Sequence, residues 1–168
     1  GGVGKTTLSR NAYDDTLIVR YFHIRAWVTI SQDYSAHRVL SSLVNSINLC
    51  LEDKVLGEEI DEVGMAEKLY KTLKGRRYLV VIDDIWSTHV WDDMRKLFPD
   101  DDNGSRIMLT TRLSNVGVYA DPFSPLHRMR FMDEDQSWDL LKQKVHCPSE
   151  LEEMGKKIAG SCGGLPLA

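Results

Sequence analysis

At 168 residues the chain has room for one domain with a sizeable core, or one domain and the start of another. Its 42% hydrophobic and 27% charged residues exclude a disordered chain, and a net charge of -4 argues against a nucleic-acid platform, which needs a basic face. The cysteines, Cys50, Cys147 and Cys162, are odd in number and far apart, without a C-x-x-C pair. Reduced thiols are therefore expected, not a disulfide framework or a zinc site. No apolar run reaches the length of a membrane span and no signal peptide is visible.

The chain opens on Gly1-Gly2-Val3-Gly4-Lys5-Thr6-Thr7, the back end of a phosphate-binding loop of the form G-x-x-x-x-G-K-[ST]. The first glycine of that pattern falls before Gly1, so this stretch is expected to belong to a longer motif. Glycines let backbone N–H groups close around phosphate oxygens without Cβ clashes. The following helix aims the positive end of its dipole at the same anion. In such a loop Lys5 reaches the β- and γ-phosphates and the Thr6 hydroxyl coordinates Mg²⁺.

A helix is expected from Thr6 to about Tyr13, broken by Asp14-Asp15, and a strand from His23 to Ser31. Leu40, Leu43, Val44 and Ile47 follow at helical spacing. Residues Glu52 to Val63 form an acidic surface connection. Met65, Leu69 and Leu73 mark a second amphipathic helix closed by Gly75. Tyr78-Leu79-Val80-Val81-Ile82 is a continuous apolar run, suited to a central parallel strand buried on both faces. A short helix over Val90–Phe98, a turn at Asp100–Gly104 and a third strand over Ser105–Thr110 come next. Then follow a helix from Leu113 to Tyr119, a loop at Asp121–Pro125 and a weak strand over Leu126–Phe131. From Asp133 only helices are expected: one opened by a capping box with Gln136 and carrying Trp138, Leu141 and Val145, one carrying Leu151, Met154 and Ile158. The fold class is α/β, a P-loop parallel sheet flanked by helices over residues 1–131, followed by the start of a helical subdomain over 132–168.

Asp83 ends the buried strand, on the edge where open α/β sheets place their ligands. An acid there holds Mg²⁺ in P-loop proteins. Asp84 is the candidate catalytic residue, able to orient or activate an attacking water. Arg112 closes Thr110-Thr111-Arg112 at the end of the third strand, in a position to report a γ-phosphate. From the residues alone, Trp86 is equally a packing residue, and Gly163–Ala168 equally a helix stop and restart. L-S-G-G-Q and N-K-x-D segments are absent, which removes transporter ATPases and GTPases from the candidates.

Taken in order, these segments resemble the NB-ARC module of plant nucleotide-binding leucine-rich-repeat disease-resistance proteins, members of the STAND class of P-loop switches. Gly1–Thr7 resembles the P-loop, Phe22–Gln32 the F-D-x-x-A-W-V-x-V-S-Q segment and Tyr78–Trp86 the kinase-2 motif. Gly104–Arg112 resembles G-S-R-I-x-x-T-T-R, Trp138–Leu141 the W-x-L-[FL] helix and Gly164–Ala168 the G-L-P-L-A motif. Trp86 after the paired aspartates is similar to the coiled-coil class, not the class with a Toll-like domain. The resemblance implies that Gly1 to Thr7, Arg112 and Pro166 bind ADP or ATP, that Thr6 and Asp83 hold Mg²⁺, and that Pro166 packs by the adenine. It implies a cytoplasmic switch of the defense response, at most a slow ATPase, resting with ADP and self-oligomerising after exchange to ATP. The implied neighbours are an N-terminal coiled coil, a winged-helix subdomain and C-terminal leucine-rich repeats, outside Gly1–Ala168; membrane association would come through such domains. Nucleic acid is not an expected partner. The alternative is a turnover P-loop ATPase or small-molecule kinase unconnected with immunity.

Overall fold

The computed structural model describes residues 2–51, 61–145 and 148–167. They fall into two compact units, one made of residues 1–8 and 127–168, the other of residues 9–126. The first helix is α1 (Lys5–Asp14).

The larger unit is an α/β layer structure. After α1 come α2 (Thr16–Tyr21), β1 (Ile24–Thr29), α3 (Ala36–Leu51), α4 (Glu62–Leu73), β2 (Tyr78–Asp83), α5 (Thr88–Arg95), β3 (Arg106–Leu109) and α6 (Ser114–Ala120). Among the described residues the strands are parallel, in the order β1-β2-β3, with Thr29 paired to Asp83 and Ile82 to Leu109. Every residue of β2 is buried, as its unbroken apolar run predicts for a strand covered on both faces. Successive residues face opposite ways. Ile24, Ala26, Val28, Tyr78, Val80 and Ile82 join Leu43 and Ile47 of α3, Leu69 and Leu73 of α4 and Met94 of α5 in the main core. Leu79 and Val81 turn to the other face, with Phe22, Tyr13, Ile18, Trp27 and Met108.

Several boundaries have plain chemical causes. Asp15, expected only to break a helix, is the N-cap of α2: its carboxylate accepts from the Leu17 N–H at 2.8 Å. Gly75 follows the end of α4 with φ +73, the left-handed conformation that glycine adopts without a Cβ penalty, and its N–H donates to Asp101. The expected strand over Leu126–Phe131 does not form: the segment has no strand conformation. Leu126 instead covers Gly117 of α6. Farther along, the Met132 N–H goes to the Gly164 carbonyl at 3.0 Å rather than to a neighbouring strand. The acidic connection read at Glu52–Val63 lies, over residues 52–60, outside the described residues.

In the smaller unit, α7 (Glu134–Lys144) begins with the expected capping box: Gln136 N–H donates to Asp133 at 2.8 Å, and the Gln136 side chain accepts from the Asp133 N–H. A 3₁₀ turn at Ser149–Leu151 leads into α8 (Glu152–Ser161). Trp138 is buried against Gly155 of α8. Leu151, Met154 and Ile158, the apolar positions that predict this helix, lie exposed, and Gly155 and Ala159 are the buried ones. The indole takes the space, so only small residues fit on the inner side.

Candidate functional site

Within the smaller unit the opening loop has the backbone that a phosphate cradle requires. Gly2 and Gly4 both sit at φ +87, and Lys5 is the first residue of α1. A Cβ at Gly4 would come no nearer than 3.9 Å to Met129 and Pro166, and one at Gly2 no nearer than 3.7 Å to Leu167. Glycine is therefore needed for its dihedral angle, not for space. The first turn of α1 contains no acidic residue, so no carboxylate of its own competes for the helix N-terminus. Thr6 and Thr7 lie exposed in that turn and Val3 is half-buried in the loop. Gly1 lies outside the described residues. Pro166 and Leu165 are half-buried and border a hollow of about 220 Å³ with residues of α7 and α8, among them Leu140, Leu141 and Ala159. Gly164, at φ +73, is fixed from behind: a Cβ there would run into the Met132 backbone.

Within the larger unit, the C-terminal edge of the sheet gathers Asp83, Asp84, Thr110 and Arg112. Thr110 is buried and its hydroxyl works in two directions. It donates to Asp83 Oδ1 at 2.6 Å and accepts the Asp84 N–H at 2.9 Å. The Thr110 carbonyl accepts the Ile85 N–H at 2.9 Å, and its own N–H donates to Ile82, so the chain after β2 is stitched to the end of β3. Asp84 is turned into the left-handed region, φ 58, where Asp and Asn are the most tolerated of non-glycine residues. That turn presents its carboxylate to Arg112, whose Nε and Nη2 donate to Oδ1 and Oδ2, each at 3.1 Å. The contact is a two-pronged guanidinium–carboxylate pair, 62% and 39% exposed. Trp86 has a polar role besides packing: its indole N–H donates to the Ser31 carbonyl at 3.0 Å, joining the β2 and β1 ends.

The donors suit Mg²⁺ in kind. Asp83 is a buried carboxylate and Thr6 a hydroxyl, both hard oxygen ligands. Among the described residues no group of three or more His, Cys, Asp or Glu could form a metal cage by itself. Mg²⁺ keeps several waters and binds through one or two protein oxygens plus phosphates, so each of these groups, taken in its own unit, is of the kind it uses. Sequence reasoning placed Thr110 at a strand end without giving it a role. The signal was a hydroxyl one residue past β3, level with the end of β2, and only the parallel register makes that visible.

Comparison with known proteins decides the family. The NB-ARC domain model matches residues 1–150. The chain belongs to the NB-ARC family. Among curated NB-ARC relatives, the putative late blight resistance protein homolog R1B-14 of Solanum demissum is 45% identical over 99% of this chain, and R1B-16 of the same plant is 43% identical over 99%. The chain spans only 13% of the length of each of these two proteins. Among solved structures, Cdc6p from Pyrobaculum aerophilum is similar with a TM-score of 0.66 at 14% identity, over 94% of this chain and 45% of that one. The Aeropyrum pernix ORC2 protein is similar with a TM-score of 0.59 at 15% identity, over 98% and 50%. At such identities the likeness shows only the fold of this NB-ARC chain, an α/β layer structure with a parallel sheet flanked by helices. No helix among its described residues is long and apolar enough to cross a membrane.

Proposed function

We propose that this chain is the nucleotide-binding part of a plant immune receptor, a switch that holds ADP at rest and ATP when active. The observation that carries this reading is the loop at Gly2–Lys5, with two left-handed glycines opening onto the acid-free N-terminus of α1. Membership of the NB-ARC family and kinship with late blight resistance protein homologs support the immune setting. In this reading Gly1 to Thr7 enclose the phosphates, with Lys5 as the cation on the β- and γ-phosphates. Thr6 and Asp83 hold Mg²⁺, which would supply charge neutralisation of the phosphates. Arg112 senses the terminal phosphate, Asp84 positions water for a slow hydrolysis, and Pro166 packs by the adenine. The full-length protein would act in the cytoplasm, joined to a coiled coil and leucine-rich repeats, and would self-associate on activation.

The test is the nucleotide retained by the full-length protein after gentle purification, released by denaturation and identified. Close to one ADP per chain is the expected result. An empty site with rapid ATP turnover would move the assignment to a cycling enzyme.

A further inference from the structure

Asp84 and Arg112 are two groups in the larger unit to which the function above gives separate duties, yet they are bonded to each other. Each duty needs a side chain that the pair occupies. A guanidinium forked onto a carboxylate presents fewer donors to a phosphate, and a carboxylate with both oxygens engaged is a poorer acceptor for water. We infer that this pair is a latch: Arg112 rests on Asp84 when no terminal phosphate is present and leaves it for a γ-phosphate, so that phosphate sensing uncovers the acid. The inference rests on the nucleotide-switch reading and supplies its regulation.

The two ends of the latch are unequal. Asp84 is fixed at its backbone: its N–H is bonded to buried Thr110, and it stands between buried Asp83 and buried Ile85. Arg112 lies beyond the end of β3, outside any helix or strand, with 62% of its side chain exposed. Among the described residues Asp84 is the ion-pair partner of Arg112, and no second carboxylate holds the guanidinium in place. The arginine is thus the moving part and the aspartate the dock. Arg suits both positions because its planar fork matches carboxylate and phosphate alike. Half-exposed pairs are weak, so a phosphate bearing more charge than a carboxylate can win the exchange.

A latch of this kind multiplies the affinity for triphosphate by the fraction of time it is open and leaves diphosphate affinity unchanged. For an exposed pair with good geometry that reduction is about two- to fivefold. Binding of Mg²⁺ with ADP and of Mg²⁺ with a non-hydrolysable ATP analogue to the full-length protein, freed first of its retained nucleotide, would be measured by calorimetry for four forms: wild type, Asp84→Asn, Arg112→Gln and the double variant. Asparagine is chosen because it tolerates φ 58 as aspartate does. Asp84→Asn should raise the preference for the triphosphate about two- to fivefold in the wild-type background and leave it unchanged when Arg112 is already glutamine. An equal rise in both backgrounds would mean that removing a nearby negative charge explains everything, and the latch is overturned. No rise in either background overturns it as well. Should the wild type bind neither nucleotide, the switch reading fails first and the latch falls with it.

Discussion

Replacing Thr110 by valine removes one oxygen and keeps the shape, which makes it the sharpest test of how the paired aspartates are held. The hydroxyl donates to Asp83 Oδ1 at 2.6 Å and accepts the Asp84 N–H at 2.9 Å, and Thr110 and Asp83 are 7% and 4% exposed. Valine leaves a buried carboxylate oxygen without that donor and a strained residue's N–H without its acceptor. A hydrogen bond to a charged group is worth about 1.5–3 kcal/mol, and an unsatisfied N–H costs about 1–3 kcal/mol. Because the two losses share one atom and do not add fully, about 3 kcal/mol is expected. With a urea m-value of about 2 kcal/mol/M, the unfolding midpoint falls by about 1.5 M. Thr110→Ser is the control: it keeps both hydrogen bonds and loses one methyl, about 1 kcal/mol or about 0.5 M. If serine proved as costly as valine, the methyl and not the hydroxyl would matter, and the bridging role would be refuted.

Lys5→Ala should weaken binding of Mg²⁺-nucleotide by about 10- to 100-fold, the loss of one charge-assisted contact, with the stability changed by less than about 0.5 kcal/mol. Fluorescent nucleotide titration beside urea unfolding reads both. Tyr78 predicts an alkaline limit. Its buried hydroxyl donates to the Pro99 carbonyl at 2.7 Å, and burial, reinforced by Asp100 and Asp101, pushes the phenol up to about 12. A raised folded-state pKa gives stability that is whole below the unfolded value, near 10, and is lost as pH climbs toward 12. About 2–3 kcal/mol should disappear across that window, and Tyr78→Phe, about 1–2 kcal/mol less stable at pH 7, should lack this loss. Gly155→Ala would gain about 1 kcal/mol from helix propensity alone. Since its Cβ would enter the Trp138 ring, a net loss in melting temperature is expected instead, relieved in the Trp138→Phe background, which lacks the obstructing ring atoms.

Local chemistry was legible wherever one residue type had one physical solution. The continuous run Tyr78–Ile82 could satisfy itself only as a strand covered on both sides, and β2 is that strand. The Asp133–Gln136 spacing closed as a capping box. Gly75 took the left-handed turn after α4. The glycines of the opening loop likewise carry positive φ at Gly2 and Gly4, because that angle is a local requirement. The family resemblance rested on such segments in order, and the NB-ARC match, over residues 1–150, covers all of them but Gly164–Ala168.

What depended on partners far along the chain was not legible. Leu126–Phe131 has enough apolar residues for a strand, but a strand needs a partner that composition does not name, and the segment has no strand conformation. The apolar positions of α8 predicted a helix there but not which side packs inward, where Gly155 meets Trp138. Thr110 became a bridge between Asp83 and Asp84 only through the parallel register that sets the end of β3 beside the end of β2. The Asp84–Arg112 pair has the same origin: twenty-eight residues separate them in sequence, and a left-handed turn brings carboxylate to guanidinium. Residue type and spacing determine what a segment needs, because dihedral preference and hydrophobic period act over a few residues. Which distant group meets that need is set by register and packing, and only the folded chain decides it.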